Sequence, residues 1–209
     1  NYINNDEIRY CLWLRDVPAN LYRKNNEIMR RLAAVKEMRL KSTAAPTRAM
    51  ADAPYKFFSA PQKEGDCLCI PEVSSERRKY IPMGFLKNGI IASNKLLILP
   101  DASIYHFGVL ISNVHMAWTR TVCGRLKSDY QYSGAIVYNN FPWPIPTEQQ
   151  KQRIEQTAQA ILDARTLYPN SSLADLYDEL TMPPELRKAH QANDRAVMDA
   201  YGFTKGTAA

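Results

Sequence analysis

IYHFGVLISNVHMAWTRTVCGRLKSDYQYSGAIVYNNFPWP, residues 104–144, sets the pattern of the chain. From Phe107 the apolar residues fall at Leu110, Ile111, Val114, Trp118 and Val122. That is helical spacing over about four turns, and it predicts one core-facing stripe. Gly124 interrupts it. Arg125, Lys127, Asp129 and Gln131 then alternate with Leu126, Ser128, Tyr130 and Tyr132, the period of a strand, so the polar set is expected to share one face. Ala135, Ile136, Val137 and Tyr138 read as a further strand, and Pro142 and Pro144 end the stretch because proline suits neither helix nor ladder.

Upstream lie four short apolar runs, at 67–71, 79–82, 89–93 and 96–99, bounded by turn residues such as Asn88-Gly89 and Pro100-Asp101. With 125–138 they predict a twisted antiparallel sheet with packed helices. Residues 41–66 hold Pro46, Pro54, Pro61 and Gly65 and read as linker, with Tyr55, Phe57 and Phe58 stapling it to a core. Before it, Leu21, Ile28, Leu32, Val35 and Met38 mark one face of a helix from about 18 to 40, ringed by Arg23, Lys24, Arg30, Arg31, Lys36 and Arg39. This basic ring reads as a solvated face more readily than as a nucleic-acid contact. Residues 6–16 fit a strand or a short helix.

Downstream of Pro146 the pattern becomes helical throughout. Thr147 is placed to cap a helix that ends before Pro169, Ser171 or Ser172 to cap a short second one, and Pro183-Pro184 to open a third that Gly202 stops. The last few residues read as disordered. The fold class is therefore α+β: a helical lead-in and linker (1–60), a sheet-and-helix domain (61–147) and a small all-helical C-terminal unit (148–209).

The chain has 209 residues, opens on Asn1, and carries 27 Lys and Arg against 21 Asp and Glu. Residues 1–131 hold 20 basic and 12 acidic side chains, or +8, and the remainder 7 and 9, or −2. Affinity for a polyanion is thus expected in the first part. Cys11, Cys67, Cys69 and Cys123 lack the paired spacing of a zinc site and read as reduced thiols, which suits the cytoplasm. No apolar run reaches the length of a membrane span.

Two clusters have the chemistry of a nucleic-acid contact. Ser75, Arg77, Arg78 and Lys79 group hydroxyl and cationic donors able to grip phosphate oxygens, or else form an ordinary charged turn. Lys127, Asp129 and Gln131, on an extended strand, would project about 7 Å apart. Lysine donates to guanine, aspartate accepts from cytosine N4 and glutamine can bridge adenine, so the three suit base edges. The alternative is a solvent-facing strand with a weak Lys–Asp pair. Arg120 and Arg125 bracket the helix end and are candidates for contact with the DNA backbone or with a carboxylate. His106 and His115 have no evident partner, and Tyr130, Tyr132, Tyr138, Phe141 and Trp143 suit a core more than a stacking platform.

The run WTRTVCGRLKSDYQYSGAIVYNNFPWP, with SSERRKYIPMGF before it and SLADLYDELTMPPELRKAHQANDRAVMDAYGF after it, resembles the C-terminal part of MmeI-type restriction-modification enzymes (type IIG-like) and their DNA adenine methyltransferase relatives. The resemblance covers nearly the whole chain, including Tyr10-Cys11-Leu12-Trp13-Leu14. It implies a target-recognition domain that binds double-stranded DNA and chooses the site methylated by a separate domain of the same polypeptide. It also implies that the segment bearing Lys127, Asp129 and Gln131 reads bases, and it favours the DNA-backbone reading of Ser75, Arg77, Arg78 and Lys79. S-adenosylmethionine, and magnesium where a nuclease is present, would belong to the parent enzyme, whose methyltransferase domain also holds the flipped adenine.

No cofactor is expected in this stretch itself. None of the eight glycines forms a G-x-G pair, the Asn-Pro-Pro-aromatic motif of adenine methyltransferases is missing, and no acidic residue pairs with a downstream acidic-x-Lys to hold a nuclease metal. The rivals are an RNA-binding module, which would favour single strands, and a protein-interaction domain, whose binding would barely respond to salt.

Overall fold

The computed structural model describes residues 10–59 and 64–203. Ile8, Pro61 and the expected disordered C-terminus lie outside the described residues. The chain divides into two compact units, Ile8–Pro61 and the remainder.

In the first unit α1 (Ala19–Tyr22), α2 (Asn26–Leu40) and α3 (Ala45–Ala49) replace the single helix and unstructured linker expected there. The break before α2 is chemical. Asn25 turns its side-chain oxygen onto the backbone N–H groups of Glu27 and Ile28, both at 3.1 Å, and so starts a new helix. Leu14, Tyr22 and Leu32 form a small core to which Tyr55 packs, while Phe57 stacks on Trp13 at 5.3 Å. Residues 10–14 have no regular structure. Arg39 is a correction to the solvated ring: its buried guanidinium donates to the carbonyls of Met50, Ala53 and Lys56 at 2.8, 2.8 and 2.6 Å. It thereby satisfies carbonyls of a loop that could not fold into a ladder.

The second unit carries two three-stranded antiparallel sheets where one was expected. In the first, β1 (Cys67–Pro71) lies between β3 (Gly84–Leu86) and β4 (Leu96–Pro100). In the second, β6 (Asp129–Gln131) lies between β2 (Val73–Ser74) and β5 (Gly124–Leu126). The runs at 79–82 and 89–93 form no strand; Pro82 lacks a ladder donor, and Gly89, at φ 86°, sits in a turn closed by Ile90 N–H on the Lys87 carbonyl.

The predicted four-turn helix is two, α4 (Ile104–Leu110) and α5 (Asn113–Val122). Ser112 separates them, donating its hydroxyl to the Val109 carbonyl at 2.7 Å and accepting from His115 N–H at 3.3 Å. Both helices bury their apolar residues in the same unit, so the spacing runs through the break unaltered. Residues Gly134–Tyr138, expected as a strand, form a π-helical turn. Its wide loop leaves carbonyls that outside groups take up: Trp118 Nε1 donates to Val137, and Asn140 to Ala135 and Ile136.

The helices α6 (Glu148–Thr166), α7 (Leu173–Leu176) and α8 (Pro184–Ala200) follow the sequence expectation, with Thr147 and Gln150 making a capping box on α6 and Ser172 and Asp175 one on α7. They do not stand apart from the sheets. One buried cluster runs from Leu68, Ile70 and Met83 through Phe107 and Leu110 to Ile161, Leu176 and Leu186. The contact is tight at Gly108, whose carbonyl accepts from Asn193 Nδ2 at 2.8 Å. A Cβ there would come within 2.8 Å of Ile154 and 2.9 Å of Ala158.

Candidate nucleic-acid interface

The segment expected as one strand is a hairpin. β5 and β6 are joined by Lys127 and Ser128, with Leu126 paired to Asp129 and Arg125 to Tyr130. Lys127 adopts φ 58°, the left-handed conformation that two-residue hairpins use. Lys127 is therefore at the turn and does not stand in line with Asp129 and Gln131, which alone keep the shared face and the spacing of about 7 Å.

The turn also exchanges the faces. Residues paired across a ladder point the same way, so the outward face holds Leu126 with Asp129 and Gln131, together with Val73 of β2. Arg125 belongs to the side of buried Tyr130. Its guanidinium lies 4.1 Å from that ring and donates to the Ser128 carbonyl at 3.0 Å, bracing the turn. A first-order alternation carried across a turn assigns these two residues to the wrong sides.

The cationic cluster at 75–79 sits against this hairpin. Asp129 Oδ1 accepts from Glu76 N–H at 3.2 Å, and Tyr130 donates its hydroxyl to the Glu76 carbonyl at 3.5 Å. Arg78 N–H donates to the Ser75 carbonyl and Arg77 N–H to the Ser75 hydroxyl, so three successive backbone N–H groups are used internally. The turn offers an anion its side chains: exposed Arg77 and Lys79, half-buried Arg78 and the hydrogen of the Ser75 hydroxyl. Among the described residues no carboxylate lies within ion-pair distance of Arg77, Arg78, Lys79, Arg120 or Lys127. The cations of α2 differ, since Arg30 and Arg31 share Glu27, Lys36 pairs with Asp52 and Lys41 with Glu37.

Behind the turn a buried polar chain fixes its exit. Tyr80 donates to Asp194 Oδ2 at 2.7 Å, and Asp194 Oδ1 accepts from Asn113 N–H at 2.7 Å. Burial raises the Asp194 carboxyl above the usual range although these donors and the nearby Lys79 and Arg195 oppose it. The Tyr80 ring stacks on His190 at 4.1 Å, His190 accepts from the Tyr177 hydroxyl at 2.7 Å, and Arg165 donates to that hydroxyl and to the Met83 carbonyl. None of Asp194, His190, Tyr177 or Arg165 stood out in the sequence. Their signal is an arginine and a histidine at the apolar positions of α6 and α8, where a polar group implies a partner.

Arg120 projects, exposed, from the last turn of α5. His115 is buried and structural: it meets the Tyr132 hydroxyl at 3.1 Å, and burial pulls its pKa down to about 3. His106 caps its own helix through Ser103. Tyr130, Tyr132 and Phe141 are buried, and Trp143 packs on Tyr105, His106, Tyr138 and Phe141. Cys67 and Cys69 lie on one side of β1 with sulfurs 3.9 Å apart, whereas Cys11 is exposed. Among the described residues no group of three or more His, Cys, Asp or Glu is placed to hold a metal, and no helix is long and apolar enough to cross a membrane.

Comparison with known proteins assigns residues 1–145 to "MmeI, target recognition domain" and residues 146–209 to "MmeI, C-terminal domain". DNA methyltransferase A of Bacillus subtilis (strain 168) is 41% identical over 197 residues, 94% of this chain and 22% of that protein. A solved structure of the type IIL restriction-modification enzyme MmeI in complex with DNA is 48% identical and superposes with a TM-score of 0.92, covering 97% of this chain and 27% of that one. The chain thus spans about a quarter of the length of these relatives.

Proposed function

Because the chain belongs to the MmeI family, we propose that it is the double-stranded DNA recognition module of an adenine methyltransferase, choosing the site that a separate domain modifies. The observation that carries this is the joining of a cationic turn to a hairpin that bears an acceptor and an amide. Asp129 and Gln131 project from the sheet, Lys127 stands at the hairpin turn, and the cationic turn at 75–79 is hydrogen-bonded to the same β6 strand. In this reading the cations set register on the phosphates, while the hairpin presents an acceptor and an amide to base edges in the major groove. The MmeI relative, solved with DNA, supports the choice of ligand.

The residues of this chain bind and orient; they perform no bond-making step. S-adenosylmethionine, and magnesium where a nuclease accompanies it, would be held by other domains of the polypeptide. The methyltransferase domain is accordingly the proposed intramolecular partner.

Sequencing of methylated adenines in genomic DNA, with and without the gene and with Lys127→Glu and Asp129→Arg exchanged together, tests this. A methylated motif that vanishes with the gene and changes at one base pair with the exchange is expected. If no methylated motif depends on the gene, the reading fails.

A further inference from the structure

On α8, Lys188, Gln191 and Arg195 are exposed and follow at i, i+3 and i+7, the spacing of one helix face. This face begins where the cationic turn is anchored. Lys79 precedes Tyr80, Arg195 follows Asp194, and Tyr80 and Asp194 are hydrogen-bonded at 2.7 Å, so the two cations flank one contact between the turn and the helix. The one carboxylate between them gives both oxygens to Tyr80 and Asn113. The remaining acids on the exposed side stand near the helix ends and are engaged: Glu185 accepts from the Tyr168 hydroxyl at 2.8 Å, and Asp199 from Gln150. Among the described residues Lys79, Lys188 and Arg195 have no ion-pair partner, in contrast to the paired cations of α2.

We propose that Arg195, with Lys188 on the same line, binds DNA phosphates as a continuation of the Lys79 contact, so that the C-terminal helices hold the duplex backbone. This rests on the recognition function proposed above. Seven residues at 1.5 Å each set Lys188 and Arg195 about 10 Å apart along the helix, or about three nucleotide steps of one strand. A cation of this kind adds affinity without sequence preference.

The test is fluorescence anisotropy of the full-length polypeptide with a labelled duplex, from 50 to 200 mM KCl, on the preferred sequence and on an altered one. Arg195→Gln should weaken both sequences alike and lower the slope of log K against log salt by about 0.9; adding Lys188→Gln should lower it by about as much again. Arg195→Lys should restore the slope, and thermal melting should be unchanged because the side chain is exposed. If the unsubstituted protein binds and Arg195→Gln leaves affinity and slope unaltered, the inference fails while the recognition function stands. A loss confined to one sequence overturns the phosphate role. Absence of any duplex binding by the unsubstituted protein overturns both.

Discussion

The Asp129 carboxylate accepts a hydrogen bond from the backbone N–H of Glu76, 53 residues earlier in the chain, at 3.2 Å. One oxygen is thereby committed to holding the cationic turn, and the other is available at the outward face of the hairpin. Asp129 therefore has two jobs that substitution can separate. Asp129→Asn keeps an acceptor for Glu76 and should alter preference at one base pair, costing about 1–3 kcal/mol on the preferred sequence. Asp129→Ala should do the same and also weaken every sequence, because the turn loses one of its hydrogen bonds to the hairpin. Binding isotherms on duplexes differing by single base pairs distinguish them; uniform loss in both variants would remove Asp129 from base readout.

Lys127 holds a positive φ in the hairpin turn, a conformation that glycine adopts without steric cost. Lys127→Gly should therefore raise stability by up to about 1 kcal/mol while abolishing any discrimination at the base pair that, in the function proposed above, its ammonium meets. Chemical denaturation and the same duplex panel measure the two effects independently. A variant that melts lower, or that keeps its base preference, contradicts this division.

Gly108 is where α4 meets α6, and a Cβ would lie 2.8 Å from Ile154 Cγ2 and 2.9 Å from Ala158 Cβ. Gly108→Ala should cost about 1–3 kcal/mol through overpacking, against the small gain that alanine brings to an unhindered helix. Adding Ala158→Gly should recover part of that cost. Thermal melting checks both, and an unchanged melting temperature in the single variant would show that the helices can separate freely.

His115 is buried, hydrogen-bonded to Tyr132 and to the backbone of Leu110, and its pKa is pulled down to about 3 from an ordinary 6.5. Well above pH 6.5 neither folded nor unfolded chain protonates it, and its contribution is complete. As pH falls from 6.5 toward 3 the unfolded chain binds a proton that the folded one does not, so stability is lost. Between pH 7 and 5 this amounts to about 2 kcal/mol. His190, also lowered by burial, acts in the same direction. His115→Gln should be less sensitive than the parent by that amount in urea titrations at the two pH values; equal losses would mean that His115 protonates within the fold.

Much of this protein is legible in its sequence because local physics is enough. Thr147 and Gln150, Ser172 and Asp175, and Pro184 with Gly202 fix the three C-terminal helices through capping groups that lie within a few residues of what they cap. The β1 and β4 strands follow from short apolar runs between turn residues. The long specific motifs around residues 118–144 also suffice to place the chain in its family. Local spacing fails where a single polar side chain restarts the backbone: Asn25 and Ser112 each divide an apparently continuous helix.

Tertiary structure decides what periodicity cannot. A two-residue turn reverses which members of an alternating sequence face outward, so the pairing of Leu126 with Asp129, and not the alternation itself, puts Arg125 beside Tyr130 and leaves Asp129 with Gln131. Partners far apart in the chain are equally invisible along it. The bonds from Glu76 to Asp129 and from Tyr80 to Asp194 span 53 and 114 residues. They exist because burial demands that each polar group find a partner wherever the packed chain supplies one. The sequence by itself determined the α+β class, the helical C-terminus and the chemistry of the candidate residues; only the folded core, by bonding the cationic turn to the hairpin and Tyr80 to α8, decided which of them are neighbours.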